Sequence, residues 1–550
     1  MTTTDPASAP ATARAWWRDA VVYQVYLRSF ADSDGDGIGD LAGLTSRLDH
    51  LTRLGVDGLW LNPCYPSPGV DHGYDVADYT DIDARYGGLP ALDELLAEAH
   101  RQGLRVVMDL VPNHCSVEHD WFVAALAAQP GAPERERFIF RTGRDGGDTP
   151  PNNWRSVFGG PAWTRVPGSD QWYLHSFDPS QPDFNWRKPE VGEYFEKVLR
   201  FWFDRGVDGI RIDVAHMLVK HAELPDWSFP PEGGSDYNGH AQNQPEVHEV
   251  FRRWRALAES YGRDLTLVGE IWVPTVTDLA AYLRPDELPQ AFFFDLLLCG
   301  WDPAAFRASV SRGLAEIAAT GATVTWTLAN HDVHRSVTRF GLVRPDASAS
   351  ADPVGNAARA RGTVDVALGQ RRARAALLLL LGLPGSVYLY QGEELGLPEV
   401  LDLPDEARQD PIWFRSKGTE HGRDGCRVPL PWQADAPAYG FGPTGRAWLP
   451  QPAWFASYAV DDQWHRADST LRLHADALAL RRSLLPGTSK QGLEWIEVPQ
   501  RPDVLAYRRG ELTCVTVFGD QPFQPPADWG QLALASAPIT AGAIPGATAA

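Results

Sequence analysis

Three carboxylates occupy matching places in this sequence. Asp213 closes the apolar run "VDGIRID" that begins at 207, Glu270 closes "LTLVGE" that begins at 265, and Asp332 closes "TVTWTLANHD" that begins at 323. One acid at one strand end is ordinary, as a cap or a surface group. Three of them, flanked by His114, Arg211 and His331, suit glycoside cleavage: one carboxylic acid protonates the leaving oxygen and a second carboxylate attacks the anomeric carbon. The roles must be separated by environment. Arg211 lies two residues before Asp213, so both side chains share a face, and a nearby cation favours the ionised aspartate that a nucleophile requires. Glu270 precedes "IW" with no cation adjacent to it. Apolar surroundings would favour its protonated form, as a general acid requires. Asp332 would then hold sugar hydroxyls and help distort the ring. His114 and His331 would donate to hydroxyls and stabilise transition-state charge.

A second acidic group is "DSDGDGIGD", residues 32–40. Asp32, Asp34, Asp36 and Asp40 fall at positions 1, 3, 5 and 9 of a calcium loop, with Gly37 at the turn. The twelfth position would be Gly43, which offers no side-chain ligand, so the loop is not an EF-hand. Four aspartates in nine residues repel one another unless a cation neutralises them. A structural Ca²⁺ or Mg²⁺ is expected here, and no organic cofactor.

The elements that must hold these residues are legible as eight apolar runs, each ending in a polar or charged cluster. They begin at 21, 56, 104, 207, 265, 290, 323 and 385, with helix-period stretches such as "ALDELLAEAHRQG" between them. Strands alternating with helices argue a parallel sheet. Eight is the number that closes a (β/α)8 TIM barrel, whose chemistry sits at the C-terminal strand ends. Two regions break the alternation. Residues 115–187 are rich in Trp, Pro, Gly and Asn and read as a loop-built insertion after the third strand. From 486 the short alternating runs "LEWIEV", "VLAYRR" and "LTCVTVF" read as a C-terminal antiparallel β-sandwich. The expected organisation is a disordered stretch 1–14, a barrel from 15–114 and 188–485, an inserted domain 115–187, and a terminal β-domain 486–550.

Composition narrows the partners. The formal net charge of −21 disfavours nucleic acid and anionic membranes. Only five of the 50 basic residues are lysines, and the arginines are scattered and form no basic patch. Five widely spaced cysteines without a CxxC pair suit a reduced, cytoplasmic chain. The start, "MTTTDPASAPATARAWW", has no apolar stretch of a signal peptide. The expected partner is a small oligosaccharide or disaccharide, bound by a monomer or weak dimer.

The stretches "DLVPNH" (109–114), "GIRIDVAH" (209–216), "VGEIW" (268–272) and "LANHD" (328–332) resemble glycoside hydrolase family 13, the α-amylase family, in its α-glucosidase and oligo-1,6-glucosidase branch. Supporting stretches are "GVDGLWLNP", "DHGYDVADY", "QPDFNW" and "QGEELG", in the family's order, over about residues 16–450. The resemblance implies a retaining mechanism with Asp213 as nucleophile, Glu270 as acid/base and Asp332 as stabiliser. It implies that Asp75, His114, Arg211 and His331 bind the glucose at the non-reducing end. "GRDGCRVPLPW" is similar to a stretch whose second arginine, here Arg427, contacts that sugar too, although its neighbours differ from the commoner Ala-Arg-Thr-Pro-Met-Gln-Trp. At the metal loop it adds the carbonyl of Ile38 as a ligand. Fold relatives that act as transporter-associated chaperones lack some of these acids and carry a membrane helix; here all three acids are present and no apolar run is long enough to span a bilayer. In this branch a valine after the nucleophile, here Val214, accompanies α-1,6 preference, but the positions after it depart from the isomaltase pattern. The expected activity is an exo-acting α-glucosidase on maltose-like oligosaccharides. Oligo-1,6-glucosidase, sucrose or trehalulose hydrolysis, and disaccharide isomerisation by transglycosylation remain open alternatives.

Overall fold

The computed structural model describes residues 15–229, 237–345, 362–484 and 492–550. The expected disordered stretch 1–14 and the boundary at 486 lie outside these residues. All eight apolar runs form strands: β1 Val21–Val25, β2 Gly58–Leu61, β3 Arg105–Leu110, β4 Gly209–Ile212, β5 Thr266–Gly269, β6 Gln290–Ala291, β7 Thr325–Thr327 and β8 Ser386–Tyr390. They pair in parallel in the order β7-β8-β1-β2-β3-β4-β5-β6. A parallel bridge between Phe292 and Thr325 joins the two outer strands, so the sheet closes on itself.

Each strand is covered on both faces, which is why its sequence reads as a nearly continuous apolar run. Helices supply the outer cover. The helix Pro189–Arg205 buries Val191, Phe195, Val198, Leu199, Trp202 and Phe203 along one stripe. It stops at Gly206, whose φ of 112° suits glycine. Only two further residues separate that turn from β4. A shift here would therefore be felt directly by Arg211 and Asp213.

The insertion is not built of loops alone. Phe140–Thr142, Gln171–Leu174 and Trp163–Arg165 form a three-stranded antiparallel sheet, with Gln171–Leu174 in the centre. Its short, Trp-containing strands gave too few alternations to register as strands in the sequence. An antiparallel bridge between His114 and Asp183 ties the insertion's return to the end of β3.

The C-terminal β-layer is a four-stranded antiparallel sheet of Glu494–Ile496, Val504–Arg509, Leu512–Val517 and Thr548–Ala549. One face meets the barrel helix Val366–Gly382, where Tyr507 Oη donates to Leu379 O at 2.6 Å and Arg509 Nη1 to Leu383 O at 2.7 Å. The other face, Val504, Ala506, Val515 and Val517, packs on Phe523 and Ile544 from irregular chain. Among the described residues no helix is long and apolar enough to cross a membrane.

Candidate active site

The barrel places its polar groups by a step of two along each strand. Val22, Trp60, Val107, Val268, Phe292 and Tyr388 form one apolar cluster within the barrel. Two residues further on stand Gln24, Asn62, Asp109 and Glu270, all buried. The strand period puts each later residue on the same face as the earlier one. An apolar floor is thus overlain by a polar layer at the C-terminal mouth. Arg211 joins that layer, in register with Asp109 on the neighbouring strand.

Arg211 is 2% exposed and organises the layer. Its Nη1 donates to Asp109 Oδ1 and to Asp213 Oδ1, each at 2.7 Å, and its Nη2 to Glu270 Oε2 at 2.5 Å. Glu270 therefore does have a cation beside it, contrary to the sequence reading. The cation comes from the adjacent strand, where Ile212 pairs with Gly269. Glu270 also accepts from Trp272 Nε1 at 2.8 Å and Val214 N at 3.1 Å. Val214 reaches it with a φ of 34°, a strained value for a β-branched residue.

One guanidinium faces three acids, so each of them receives only part of its charge. Burial pushes the Asp109 carboxyl up to about 7, with Arg211 opposing and Glu270 adding to the rise. Burial likewise pushes Asp213 well above the usual carboxylate range, again opposed by Arg211 and assisted by Glu270 and Asp109. The expectation that Arg211 simply keeps Asp213 ionised is corrected on this point: its charge is divided three ways.

Across the pocket, Asp332 Oδ1 accepts from Arg427 Nη2 at 2.9 Å and Arg423 Nη1 at 3.1 Å, and its Oδ2 lies 3.3 Å from His331 Nε2. Burial alone would raise this carboxyl, but His331, Arg423, Arg427 and Arg211 overcome it and hold it well below the ordinary range. The two walls are joined through Tyr74. Its hydroxyl lies 2.7 Å from His331 Nε2 and donates to Asp109 Oδ2 at 3.1 Å. Arg427 is fully buried and also donates from Nε to His331 O at 2.8 Å. His114 is buried at the same mouth, 3.2 Å from Tyr74 O and 5.0 Å centroid to centroid from Phe177. Beside Asp213, Phe158, Phe177, Val214 and Met217 form an apolar wall against which Ile412 packs.

Asp75 is not among the groups brought together. Its carboxylate accepts from Ser67 Oγ, Val70 N and Asp71 N at 2.9, 2.8 and 3.1 Å, so it is used up in holding its own loop. Asp71, four residues earlier, faces the site instead: it accepts from Arg423 Nη2 at 2.8 Å and Gln181 Nε2 at 3.1 Å. Both aspartates lie in "DHGYDVADY", and spacing alone did not say which would turn inward. Arg423 was missed as well, although it is the first arginine of "GRDGCRVPLPW". Asp410 fixes it, accepting from Arg423 N and Nε at 2.7 Å each. Asp109 stood in view as the opening residue of "DLVPNH", and only strand register reveals that it opposes Arg211.

In the acidic loop, carboxylate oxygens of Asp32, Asp34 and Asp40 come within 4.8 Å of one another. These are hard oxygen donors of the kind Ca²⁺ and Mg²⁺ take, so the trio fits a divalent cation. Asp36, whose Oδ1 accepts from Ile38 N at 2.7 Å, is not part of this trio.

A closed α/β barrel with clustered acids at its C-terminal mouth defines a barrel enzyme of the kind whose loops vary the chemistry. Residues 24–486 match the family described as alpha amylase, catalytic domain. The chain is 37% identical over 514 residues to a probable alpha-glucosidase of Rhizobium meliloti (strain 1021), covering 90% of this chain and 87% of that protein. It is 36% identical over 508 residues to an oligo-1,6-glucosidase of Parageobacillus thermoglucosidasius, covering 85% and 84%. Among solved structures, the alpha-glucosyl transfer enzyme XgtA superposes with a TM-score of 0.81 at 36% identity, covering 94% of each chain. The chain belongs to the alpha-amylase family, glycoside hydrolase family 13.

Proposed function

We propose that the protein is a retaining, exo-acting α-glucosidase that releases glucose from the non-reducing ends of maltose-like oligosaccharides. The observation that carries this reading is the Arg211 fork, which reaches an oxygen of Asp213 at 2.7 Å and of Glu270 at 2.5 Å. Two carboxyl groups held by one planar guanidinium are kept close to each other, which favours double displacement over an inverting pair set apart to lodge an attacking water.

In this reading Asp213 attacks the anomeric carbon and Glu270 protonates the departing oxygen, then deprotonates the incoming water. The acid role requires a proton on Glu270 at that moment. The glycosidic oxygen is an acceptor and draws the proton there, while Arg211 remains to stabilise the anion on Asp213. Asp332, kept ionised by Arg423 and Arg427, grips ring hydroxyls. Asp71, paired with Arg423, takes the role first given to Asp75, and His114, His331 and Arg427 complete the glucose pocket. The apolar wall of Phe158, Phe177, Val214 and Met217 also suits a leaving group or acceptor with an apolar face. Glucosyl transfer is therefore the second reading, and the similarity to XgtA favours it. Hydrolysis of α-1,6, sucrose or trehalulose linkages uses the same acids.

The division into barrel, insertion 115–187 and terminal unit from 486, and a cytoplasmic setting, belong to this proposal. All five cysteines are free, which suits a reducing compartment. Asp32, Asp34 and Asp40 would hold Ca²⁺ or Mg²⁺ as a structural clamp on the loop after β1, with no part in bond cleavage.

The test is p-nitrophenyl α-glucoside hydrolysis by the wild type and Asp213→Asn, with NMR of the first glucose anomer formed. A loss on the order of 10⁴-fold with α-glucose appearing first is expected. An unimpaired variant removes Asp213 from its role, and β-glucose first removes retention. For the metal, EDTA should lower the melting temperature by a few degrees, about what 1 kcal/mol does in a chain of this size, and Ca²⁺ should restore it. An unchanged melting curve would eliminate the clamp.

A further inference from the structure

Lys220 is a buried cation that the reaction just described does not use. It lies seven residues beyond Asp213, and its side chain is 1% exposed. Its Nζ donates to Asn113 Oδ1 and to Met217 O, each at 2.5 Å, and sits 2.9 Å from Asp183 Oδ2. Asp183 is itself fully buried. Lys220 thus ties three segments together: the end of β3 at Asn113, the chain after Asp213, and the return of the insertion at Asp183. A buried ion pair of this kind is weak evidence for stability, so its consequence for its neighbours is the more informative question.

That neighbour is Asn113. Its amide has two ends, and each end faces a group of fixed character. An ammonium has donors only, and an ionised carboxylate has acceptors only. The end toward Lys220 must therefore be the carbonyl oxygen. The other end lies 3.3 Å from Asp183 Oδ1, so it must be the NH₂ group. A flipped amide would set donor against donor and acceptor against acceptor. Unlike most buried amides, this one has its orientation decided by charges on both sides.

The NH₂ group also lies 3.1 Å from His114 Nδ1. Nδ1 must accept from it, which leaves the ring proton on Nε2. Nε2 faces two groups: Tyr74 O at 3.2 Å, which can only accept, and the Gln181 amide nitrogen at 3.2 Å, which donates to Asp71 Oδ2. A tautomer is fixed by the partner of the opposite ring nitrogen, and here that partner is fixed by Lys220. Burial, first, and the Lys220 charge, against the pull of Asp183, bring the His114 pKa down to about 4, so near neutrality the ring is uncharged and its tautomer matters.

We propose that Lys220 is a positioning residue: with Asp183 it locks the Asn113 amide and so holds His114 as the Nε2–H tautomer, which leaves Nε2 as the ring nitrogen able to donate. This rests on the reading of His114 as a sugar-binding donor. At His331 the charged partner instead acts directly on the ring: Asp332 Oδ2 lies 3.3 Å from Nε2, while Gln24 Nε2, which also donates to Asn62 Oδ1, lies 2.7 Å from Nδ1.

Long-range ¹H–¹⁵N correlation spectra of the full-length protein test this directly, with the His114 signals assigned by their loss in His114→Gln. The wild type should show a protonated Nε2 and a bare Nδ1. A protonated Nδ1 in the wild type overturns the proposal without any variant. Asn113→Asp places an acceptor opposite Nδ1 and should move the proton there, with kcat/KM falling on the order of tenfold, the cost of one hydrogen bond. Lys220→Met should blur the tautomer and raise the pH at which His114 titrates, while Lys220→Arg, again a donor only, should keep the wild-type spectrum. A wild-type His114 spectrum in Lys220→Met refutes the role of Lys220. A proton that moves with no change in kcat/KM supports the lock and instead overturns the reading of His114 as a sugar donor.

Discussion

On one wall of the pocket a single Arg211 is shared by Asp109, Asp213 and Glu270. On the other, Arg423 and Arg427 converge on Asp332, and Arg423 also holds Asp71 and Asp410. All of these acids but Asp332, whose side chain is 27% exposed, are nearly fully buried, so burial alone does not explain why they behave differently. The share of guanidinium charge that each carboxylate receives does. Asp410 receives Arg423 through the side chain and the backbone, and a further N–H from Ile412; despite burial it lies well below the ordinary range. Asp71 faces one nitrogen of Arg423, and burial wins there, raising it to about 6. A glycosidase of this kind needs a proton on one side of the anomeric carbon and a fixed negative charge on the other. Unequal division of guanidinium groups between two walls supplies both from the same residue types.

Removing the cation from each wall should break that contrast most severely on the Arg211 side. Arg211→Met leaves three buried carboxylates with no counter-ion. A loss of roughly 3–5 kcal/mol in stability is expected, with kcat/KM down on the order of 10⁴-fold, since nucleophile and acid/base lose their common support. Arg423→Met and Asp71→Asn should act mainly on KM, by about 10–100-fold, because Arg427 remains on Asp332. Asp75→Asn should lower the melting temperature with little effect on KM. Steady-state kinetics with urea unfolding of the four variants reads all of this. Comparable kinetic damage from Arg211→Met and Arg423→Met would mean the walls are not specialised.

Much of this was legible in the sequence, and the misses share a cause. The eight strands were visible because a barrel strand is buried on both faces and so reads as an apolar run, with its polar end at the mouth. Asp213, Glu270 and Asp332 stood out for the same reason. Contacts between strands were not visible. The cation beside Glu270 comes from β4, and the opposition of Asp109 to Arg211 depends on register, which no single run contains. The exchange of Asp71 for Asp75 turns on which carboxylate three loop donors capture. Of the four loop aspartates, Asp36 is the one whose oxygens stand apart from the other three. Near-neighbour donors compete for short acidic side chains, and spacing along the chain does not say which one they win.

The smallest effect, and the one most specific to the contrast, is on stability against pH. Asp109 has its folded-state pKa raised, from about 4 in an unfolded chain to about 7. Between those values the unfolded chain ionises while the folded one does not, so folding stability should fall as the pH rises from about 4 to about 7. Asp213 and Asp71 push the same way. Asp410 and Asp332 have theirs depressed, so their contribution is present above about pH 4 and lost as the pH falls below it. The two walls should thus shape opposite limbs of one profile. Asp109→Asn should flatten the fall between pH 4 and 7, by at most about 1.4 kcal/mol per pH unit for one proton. Asp410→Asn should flatten the acid limb and leave the slope above pH 4 alone. Each variant lowers stability overall by disturbing its arginine, so slopes of urea-unfolding free energies are compared, not their heights. Parallel curves for Asp109→Asn and the wild type from pH 4 to 7 would show that Asp109 holds no proton over that range in the folded chain. The difference between the walls would then be one of geometry alone.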